Sequence, residues 1–277
     1  MRRGAPPRKA GPFGCRLMIN RPAAESAAIG CSVCLVVPCF NEGARLDIEA
    51  FRGFAIGNPW IRIVFVDDGS SDNTLEVLHQ LQRGYEDRMT ILPSKPNHGK
   101  AEAVRLGVLL ALDQFHPSIV GFWDADLATP LDAIPRFMQV FDARAGIEMV
   151  FGSRVKLLGR DVRRRALRHY LGRIFATVVS TMLQLPIYDT QCGAKLFRVE
   201  PETRAIFADP FLSRWVFDVE IIARYLKFHN CDTERMAKII YEYPLETWVD
   251  IAGSKVRPRD FLTALADIIR IRRKYLS

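Results

Sequence analysis

The amino-acid sequence predicts an α/β fold: a mostly parallel sheet flanked by helices, with amphipathic helices toward the C-terminus. Two observations support this prediction. Short runs rich in β-branched residues alternate with longer segments whose apolar residues recur at helical spacing. Polar side chains follow these runs, where the ligand sites of parallel sheets lie. The chain has 277 residues, 49% of them hydrophobic, which is enough for the core of one large domain or two small ones.

Five runs in the first half are predicted to be strands. Buried strands that alternate with helices imply parallel pairing through crossover connections. One helix is expected to begin near Thr74, and another lies within residues 96–115, where Ala, Leu and Val recur at helical spacing. The predicted strands are residues 33–38, 61–68, 89–94, 119–126 and 149–154.

Each predicted strand is followed by polar or charged residues. Because the carboxyl ends of parallel strands meet at one edge of a sheet, we expect these side chains to lie close together. Chance would scatter them over both edges. They are Asn41 and Glu42, then Asp67, Asp68 and Ser70, then Asn97, Gly99 and Lys100, then Asp124 and Asp126, and finally Arg154.

Asp124 and Asp126 flank a single alanine at the end of the fourth predicted strand. In an extended chain, residues two apart point to the same side, so both carboxylates can face one cation. Mg²⁺ and Mn²⁺ take oxygen ligands and often join carboxylates to phosphates. We therefore predict a divalent-metal site. The alternative is a surface aspartate pair, or a helix cap before Pro130.

Two other strand ends indicate an anionic or nucleoside ligand. Asp67 and Asp68 can accept hydrogen bonds from a base N–H or from ribose hydroxyls. The alternative is a turn that only caps the next helix. It would explain Ser71 or Asp72, but not two consecutive aspartates at the end of a buried strand. Lys100 is predicted to start a helix, where free N–H groups and a lysine favour anions. An ordinary helix start explains that position equally well.

The second half places Asp218 and Glu220 among large apolar residues. The spacing of Phe217, Ile221 and Ile222 favours a helix there. Either acid is a candidate for binding or catalysis. The alternative is that one of them is a salt-bridged acid of the core.

Positive charge is concentrated in a basic run that begins at Arg154 and includes Arg163, Arg164, Arg165 and Arg168. The net charge of +8 and pI near 9.3 indicate an anionic partner. An apolar segment at helical spacing follows, which predicts a surface helix on an anionic bilayer. The run is not interleaved with aromatics, so nucleic-acid binding is not expected.

Cysteine spacing and hydropathy exclude other classes. Cys31 and Cys34 form a C-x-x-C without the second pair that a zinc site needs, so we predict buried thiols in a reducing compartment. No apolar segment reaches the roughly 18 residues of a membrane span. Residues 1–30 are basic and rich in Pro and Gly, and we predict a tail without stable structure.

Eight segments, in order, resemble the family-two glycosyltransferases, and within them most closely the dolichyl-phosphate β-glucosyltransferases. The similarity runs from about Val33 to the C-terminus. It implies a GT-A, Rossmann-like domain over residues 31–277, with a nucleotide-binding half of about 31–155 and an acceptor- and membrane-facing half of about 156–277. The segments are VVPCFNE, FVDDGSSDNT, NHGKAEAVRLG, DADLATP, FGSR, DTQCGAKLF, RWVFDVE and ETWVDIAGSK.

The resemblance implies a role for each matching position. The catalytic candidates are Asp126, Arg154, Asp218 and Glu220. The nucleotide-sugar site would comprise Pro38, Asn41, Glu42, Asp67, Asp68, Lys100, Asp124, Gln191, Trp215, Ser254 and Lys255, with Asp124 and Asp126 holding Mg²⁺ or Mn²⁺. Arg163, Arg164, Arg165 and Arg168 would meet the acceptor phosphate or the membrane.

The activity implied is metal-dependent, inverting transfer of glucose from UDP-glucose to a polyprenyl phosphate, dolichyl or undecaprenyl. A phosphate monoester is already anionic at neutral pH, so no strong base is needed. The alternatives are mannosyl transfer from GDP-mannose, transfer to a non-lipid hydroxyl with Asp218 or Glu220 as base, and an inactive relative that binds lipid or nucleotide.

We expect a cytoplasmic protein bound peripherally to the cytosolic face of a membrane. The chain shows neither the N-terminal anchor nor the C-terminal spans of similar enzymes. Membrane contact would then rest on the basic helix, on residues 261–277, on a membrane-protein partner or on a second copy of the chain.

Overall fold

The computed structural model describes residues 32–163, 166–250 and 258–276, with the backbone alone at 163, 166–171 and 258–262. The strands are β1 Val33–Cys39, β2 Ile61–Asp68, β3 Met89–Ser94, β4 Ile119–Trp123, β5 Met149–Ser153, β6 Asp161–Arg163, β7 Ala194–Arg198, β8 Ile240–Pro244 and β9 Thr247–Val249. The helices are α1 Ile48–Gly57, α2 Thr74–Gln82, α3 Lys100–Gln114, α4 Ala133–Ala143, α5 Ala166–Leu183, α6 Pro201–Ala208, α7 Phe217–Phe228, α8 Thr233–Ile239 and α9 Pro258–Tyr275.

Seven strands form one sheet in the order β3-β2-β1-β4-β7-β5-β8, and β6 pairs with β9 separately. Neighbours in the large sheet are parallel, except that β7 runs antiparallel between β4 and β5. The predicted mostly parallel sheet flanked by helices is confirmed. The sequence analysis did not predict β7 or β8.

The sheet is covered on both faces because side chains alternate along each strand. From β1, Cys34 and Val36 join a core with residues of α3, α5, α6, α7 and α9. Leu35 and Val37 point to the other face and pack with residues of α1, α2 and α4. Burial on both faces explains the continuous apolar strands, which are typical of parallel sheets.

The predicted strand ends are close to the observed ones, with one difference that affects the site. β4 ends at Trp123, three residues earlier than predicted. Asp124 and Asp126 therefore lie in the turn after the strand, where Leu127 N–H donates to the Asp124 carbonyl at 3.2 Å and Leu127 has a φ of +52°. The premise that the two aspartates share one side of an extended strand is wrong.

The basic run is not a single helix. Arg163 ends β6, where it pairs with Val249 of β9, and α5 begins at Ala166. Arg164 and Arg165 lie outside the described residues. Within α5, Phe175 and Val179 are buried in the core, whereas Ile174 and Val178 are exposed.

The predicted amphipathic C-terminal helix is present as α9. Ile268 and Ile271 are buried in the core that α9 shares with α7. The basic residues near its end, Arg270, Arg272, Arg273 and Lys274, are exposed. Among the described helices, none combines the length and the apolarity that crossing a bilayer requires.

The described cysteines are mostly buried, as predicted. Cys34, Cys39 and Cys192 are buried, and none of these three is in a disulfide bond. The prediction is wrong for Cys231, which is exposed in the turn after α7.

Candidate active site

The two aspartates after β4 are anchored against β7. Asp124 N–H donates to the Gly193 carbonyl at 3.0 Å, and Gly193 directly precedes β7. A Cβ atom at position 193 would overlap the Asp124 carboxyl group. Asp126 accepts a hydrogen bond from Ala128 N–H at 3.0 Å. The glycine thus permits a close approach that fixes the first carboxylate at the sheet edge.

Lys100, the first residue of α3, reaches across to this turn. Its Nζ lies 2.5 Å from Asp124 Oδ1. Burial disfavours its charged form, but Asp124 and Asp218 outweigh that effect and raise the pKa of Lys100. The lysine therefore remains cationic among three carboxylates, the third being Asp126.

The ionised form of Asp126 is disfavoured by its surroundings. Burial and the neighbouring Asp124 raise its pKa, while Lys100 and Arg45 oppose the rise. A second cation would relieve that repulsion. Two partly exposed carboxylates on one turn offer the oxygen donors that Mg²⁺ and Mn²⁺ prefer, so these residues fit a divalent ion.

Arg45 is a site residue that the sequence analysis missed. Its guanidinium forms a two-pronged ion pair with Glu42, three residues earlier. The hydrogen bond to Glu42 raises the pKa of Arg45, with smaller contributions from Asp126 and Asp124. Arg45 therefore adds positive charge near the aspartate turn. Its only sequence signal was its position in the loop after β1, three residues beyond Glu42.

The carboxylate of Asp68 binds the N-terminus of α3, where the sequence analysis expected an anionic ligand. This carboxylate accepts hydrogen bonds from the N–H groups of His98 at 2.8 Å and Gly99 at 2.7 Å, and from Asn97 Nδ2 at 2.8 Å. Gly99 adopts a φ of +97°, which favours glycine. Asp68 thus holds the loop that presents Lys100 to Asp124.

The neighbouring β1 and β2 ends are joined by local hydrogen bonds. Asp67 Oδ1 accepts from Ser70 N–H at 3.2 Å, and Asn41 N–H donates to Ser70 Oγ at 2.9 Å. Asn41 Oδ1 accepts from Ser71 N–H at 2.8 Å. Pro38 is half-buried within β1 opposite Val66. These contacts bring the predicted nucleotide-binding residues to one edge of the sheet.

Asp218 lies close enough to Lys100 to affect its pKa, and it pairs with a buried lysine, Lys195, that the sequence analysis also missed. Lys195 Nζ lies 2.5 Å from Asp218 Oδ1 and donates to the Cys192 carbonyl at 2.5 Å. Its side chain is 1% exposed and lies over the rings of Phe122 and Phe151 at 5.3 and 5.7 Å. A buried ammonium needs such partners.

Arg154 follows β5, as predicted, and is held by Asp189. Its Nε and Nη2 donate to the two carboxylate oxygens at 2.6 and 2.7 Å. Burial opposes the charge, but Asp189 and then Asp124 raise the pKa of Arg154. The guanidinium also lies 5.4 Å from the ring centre of Trp248. Behind the pair, Glu242 accepts the Asp189 N–H at 2.8 Å.

The structure does not bring Glu220 to this edge. Its carboxylate is fully buried and accepts hydrogen bonds from Arg224 at 2.7 Å, Leu212 N–H at 2.7 Å and Tyr275 Oη at 2.9 Å. This geometry is that of the salt-bridged core acid considered as the alternative. α7 is confirmed, and its first turn sends Asp218 and Glu220 in different directions.

Of the other predicted residues, two are described, and the rest lie outside the described part. Gln191 is half-buried beside Asp189, to which its N–H donates at 3.3 Å. Trp215 is 42% exposed in the loop before α7. Ser254 and Lys255 fall outside the described residues, as do the side chains of Arg163 and Arg168.

Comparison with known proteins identifies the family of the chain. The model of a family described as glycosyl transferase family 2 matches residues 34–203. Dolichyl-phosphate beta-glucosyltransferase from Dictyostelium discoideum is 32% identical over 256 residues, covering 87% of this chain and 74% of that protein. The protein of the same name from Saccharomyces cerevisiae is 30% identical, covering 87% and 74%.

Solved structures share the fold at low sequence identity. Glucosyl-3-phosphoglycerate synthase from Mycobacterium tuberculosis, crystallised with Mn²⁺, UDP and glucosyl-3-phosphoglycerate, superposes with a TM-score of 0.58 at 18% identity, covering 91% of this chain and 85% of that one. The Pyrobaculum calidifontis mannosyltransferase, with GDP-Man and Mn²⁺, gives 0.58 at 17%, covering 88% and 64%. The predicted GT-A architecture is confirmed.

Proposed function

The chain belongs to glycosyl transferase family 2, and on this premise we propose that it transfers glucose from UDP-glucose to a polyprenyl phosphate, with inversion at the sugar carbon. Relatives named dolichyl-phosphate beta-glucosyltransferase, at about 30% identity over most of the chain, favour dolichyl phosphate as acceptor. The observation that carries the proposal is the cluster of Asp124, Asp126 and Lys100 at the carboxyl edge of the sheet.

Asp124 and Asp126 would hold the divalent ion. A bound Mg²⁺ or Mn²⁺ supplies Lewis-acid neutralisation of the charge that develops on the departing diphosphate. Lys100, cationic and 2.5 Å from Asp124, is placed to contribute a second positive charge to the same anion. The structural neighbours crystallised with Mn²⁺ support a metal of this class.

The nucleoside would lie over the ends of β1 and β2. Pro38, Asn41 and Asp67 form the floor of this region, and Glu42 would receive the ribose hydroxyls. Arg45 holds the Glu42 carboxylate in place, and the hydrogen bonds of Asp68 shape the adjoining loop. Asp68 would thus contribute indirectly, by holding the backbone of residues 98 and 99 next to Lys100.

The acceptor phosphate requires positioning more than activation. Its second pKa is near 6, so it attacks as an anion without a general base. Arg154 would orient that anion, because Asp189 and Glu242 fix its guanidinium in turn. Attack from the face opposite the departing UDP gives inversion. Gln191, Trp215, Ser254 and Lys255 would complete the sugar and diphosphate contacts.

The buried pair Lys195–Asp218 argues against a hydroxyl acceptor. A hydroxyl would need a base at the sugar, and Asp218 is the remaining candidate once Glu220 is committed to the core. The Asp218 carboxylate is already engaged in a buried ion pair with Lys195 Nζ, 2.5 Å away. Asp218 is therefore suited to binding sugar hydroxyls.

Peripheral attachment to the cytosolic face of a membrane belongs to the same proposal, since the acceptor is a lipid. Ile174 and Val178, one turn apart on α5, are 57% and 39% exposed. Arg173, which precedes them, stacks at 3.9 Å over Tyr188. Arg163, Arg164, Arg165 and Arg168 lie in the same stretch of sequence and would supply charge for anionic headgroups.

The test is product analysis with purified protein, radiolabelled UDP-glucose, UDP-galactose or GDP-mannose, and dolichyl or undecaprenyl phosphate. We expect glucosyl lipid only from UDP-glucose, and loss of turnover with EDTA or Asp126→Asn. Calorimetry should show UDP binding more tightly than GDP in the presence of Mn²⁺.

Three results would count against the proposal. Mannosyl lipid from GDP-mannose would identify the donor as a guanosine nucleotide sugar. Glucosylation of a soluble hydroxyl in place of the lipid phosphate would reject the acceptor. Full activity of a folded Asp126→Asn variant would reject the metal role of that residue.

A further inference from the structure

A second cluster of ionisable side chains lies at the opposite edge of the sheet. The cluster consists of Glu148, Glu202 and His229. Each residue offers one potential ligand atom, and the three atoms lie within 4.8 Å of one another. Glu148 directly precedes β5 and Arg154 directly follows it. At about 3.3 Å per residue, the strand separates this cluster from the active-site edge by about 20 Å. The cluster has no role in the proposed reaction.

The three residues come from separate elements, and hydrogen bonds fix the backbone of two of them. Glu148 N–H donates to the Ile239 carbonyl at 2.8 Å, and its own carbonyl accepts from Arg198 N–H at 2.8 Å. Glu202 lies in the first turn of α6. His229 ends α7, where its N–H donates to the Tyr225 carbonyl at 3.0 Å. The cluster thus joins the sheet edge to two helices.

The ligand atoms at the centre of the cluster are not satisfied by protein groups. His229 Nε2 and Glu148 Oε2 are both buried without a hydrogen-bond partner. The imidazole is 4% exposed, and its Nε2 lies 3.8 Å from Glu202 Oε1 and 4.0 Å from Glu148 Oε2. These separations are too long for hydrogen bonds. A buried polar atom without a partner calls for an explanation, such as an ion.

We propose that Glu148, Glu202 and His229 bind a divalent transition-metal ion, Zn²⁺ or Mn²⁺, at a site distinct from the aspartate turn. One imidazole and two carboxylates are a donor set that these ions accept. Bonds of about 2.0–2.2 Å to a tetrahedral ion place its donors about 3.4 Å apart. The observed 3.8 and 4.0 Å require only small inward movements of the side chains.

The surroundings favour an ion over a purely internal ion pair. The nearest cation to Glu148, Arg235, is 3.9 Å from Oε1 and its side chain is 52% exposed, so it is a weak partner. The glutamate side chains are 16% and 12% exposed, which leaves the cluster accessible to a hydrated ion.

A metal ion bound at this site would have a structural role. It links the start of β5 and the first turn of α6 to the end of α7. The other end of α7 carries Asp218, which pairs with Lys195 at the active-site edge. A bound ion would therefore stabilise the helix that positions this pair, as ligands that bind only the folded state do.

The experiment uses the full chain with Asp124→Asn and Asp126→Asn, which removes the other predicted site. Equilibrium dialysis against Zn²⁺ or Mn²⁺, followed by elemental analysis, should show about one ion bound per chain. Adding His229→Gln or Glu202→Gln should weaken binding about a hundredfold or more, because even outer-shell partners cost 10–100-fold. Zn²⁺ or Mn²⁺ should also raise Tm in the background protein and not in these variants.

Glu234→Gln is the matched control and should leave binding unchanged, because Glu234 is an exposed glutamate on α8 and is not one of the three ligands. If His229→Gln does not fold, Glu202→Gln decides, since the Glu202 side chain is 12% exposed, against 4% for the imidazole. The proposal is overturned if the background protein binds neither ion at micromolar concentration. It is equally overturned if a folded Glu202→Gln variant binds as tightly as its background.

Discussion

At the scale of single residues, the candidate site depends on contacts that no sequence pattern specifies. Gly193 is the clearest case. It precedes β7, accepts the Asp124 N–H through its carbonyl, and leaves space for the Asp124 carboxylate. Its φ does not lie in the left-handed region, so an alanine at this position meets a steric conflict with Asp124 and no backbone strain.

Gly193→Ala should reduce turnover about a hundredfold with little loss of stability, because displacing a reacting group by about 1 Å can cost that much. Initial rates and thermal unfolding of the purified variant provide the measurement. Gly146→Ala is the control, since a Cβ there meets nothing within 4 Å. Wild-type turnover in Gly193→Ala would show that Asp124 need not occupy its observed position.

At the scale of elements, the two acids in the first turn of α7 have different partners. Residues two apart on a helix are separated by about 200°, so Asp218 and Glu220 cannot share a face. Asp218 pairs with Lys195 of β7, and Glu220 accepts from Arg224 and from Tyr275 of α9. Ala264, Ile268 and Ile271 of α9 are buried in the core that this helix shares with α7.

Glu220→Gln should destabilise the fold by about 3 kcal/mol or more, because it leaves the buried Arg224 guanidinium without its counter-charge. Tyr275→Phe removes one hydrogen bond and should cost about 1 kcal/mol. Urea unfolding measures both. In conditions where the variants are folded, kcat should remain close to wild type. A large fall in kcat in a folded Glu220→Gln protein would return Glu220 to the sugar pocket.

At the scale of the whole molecule, the two edges of the sheet differ in character. The carboxyl edge gathers Asp124, Asp126, Lys100 and Arg154, and the opposite edge carries the Glu148 cluster. The proposed attachment to an anionic lipid surface depends on the net charge of +8 and on the two exposed apolar side chains of α5, Ile174 and Val178.

Replacing Ile174 and Val178 together by serine should weaken sedimentation with anionic liposomes, since both side chains are exposed and would enter the interface. The fold should be retained for the same reason. Ile56→Ser is the matched control, because Ile56 on α1 is exposed to nearly the same extent, 58% against 57% for Ile174. Equal liposome binding by the double variant and wild type would exclude α5 as the contact.

The sequence by itself determined the architecture and the edge where the site lies. Short, continuous β-branched runs bounded by turn residues indicate buried strands, and the acids and lysine that follow them meet because parallel strands end together. The positions of Asp124, Asp126, Lys100 and Arg154 were predicted on that ground. The helical spacing around Phe217 likewise predicted α7.

Only the tertiary structure decided which charged groups pair. Lys195 gave no periodic signal, since its partner Asp218 lies 23 residues away along the chain. Arg45 pairs with Glu42 only three residues earlier, but in a loop, where spacing does not fix which side chains meet. The assignment of Glu220 to the core and of Asp218 to the site depended on how α7 is rotated against α9 and β7. Electrostatic energy depends on distance through space, and sequence spacing encodes that distance only within one element.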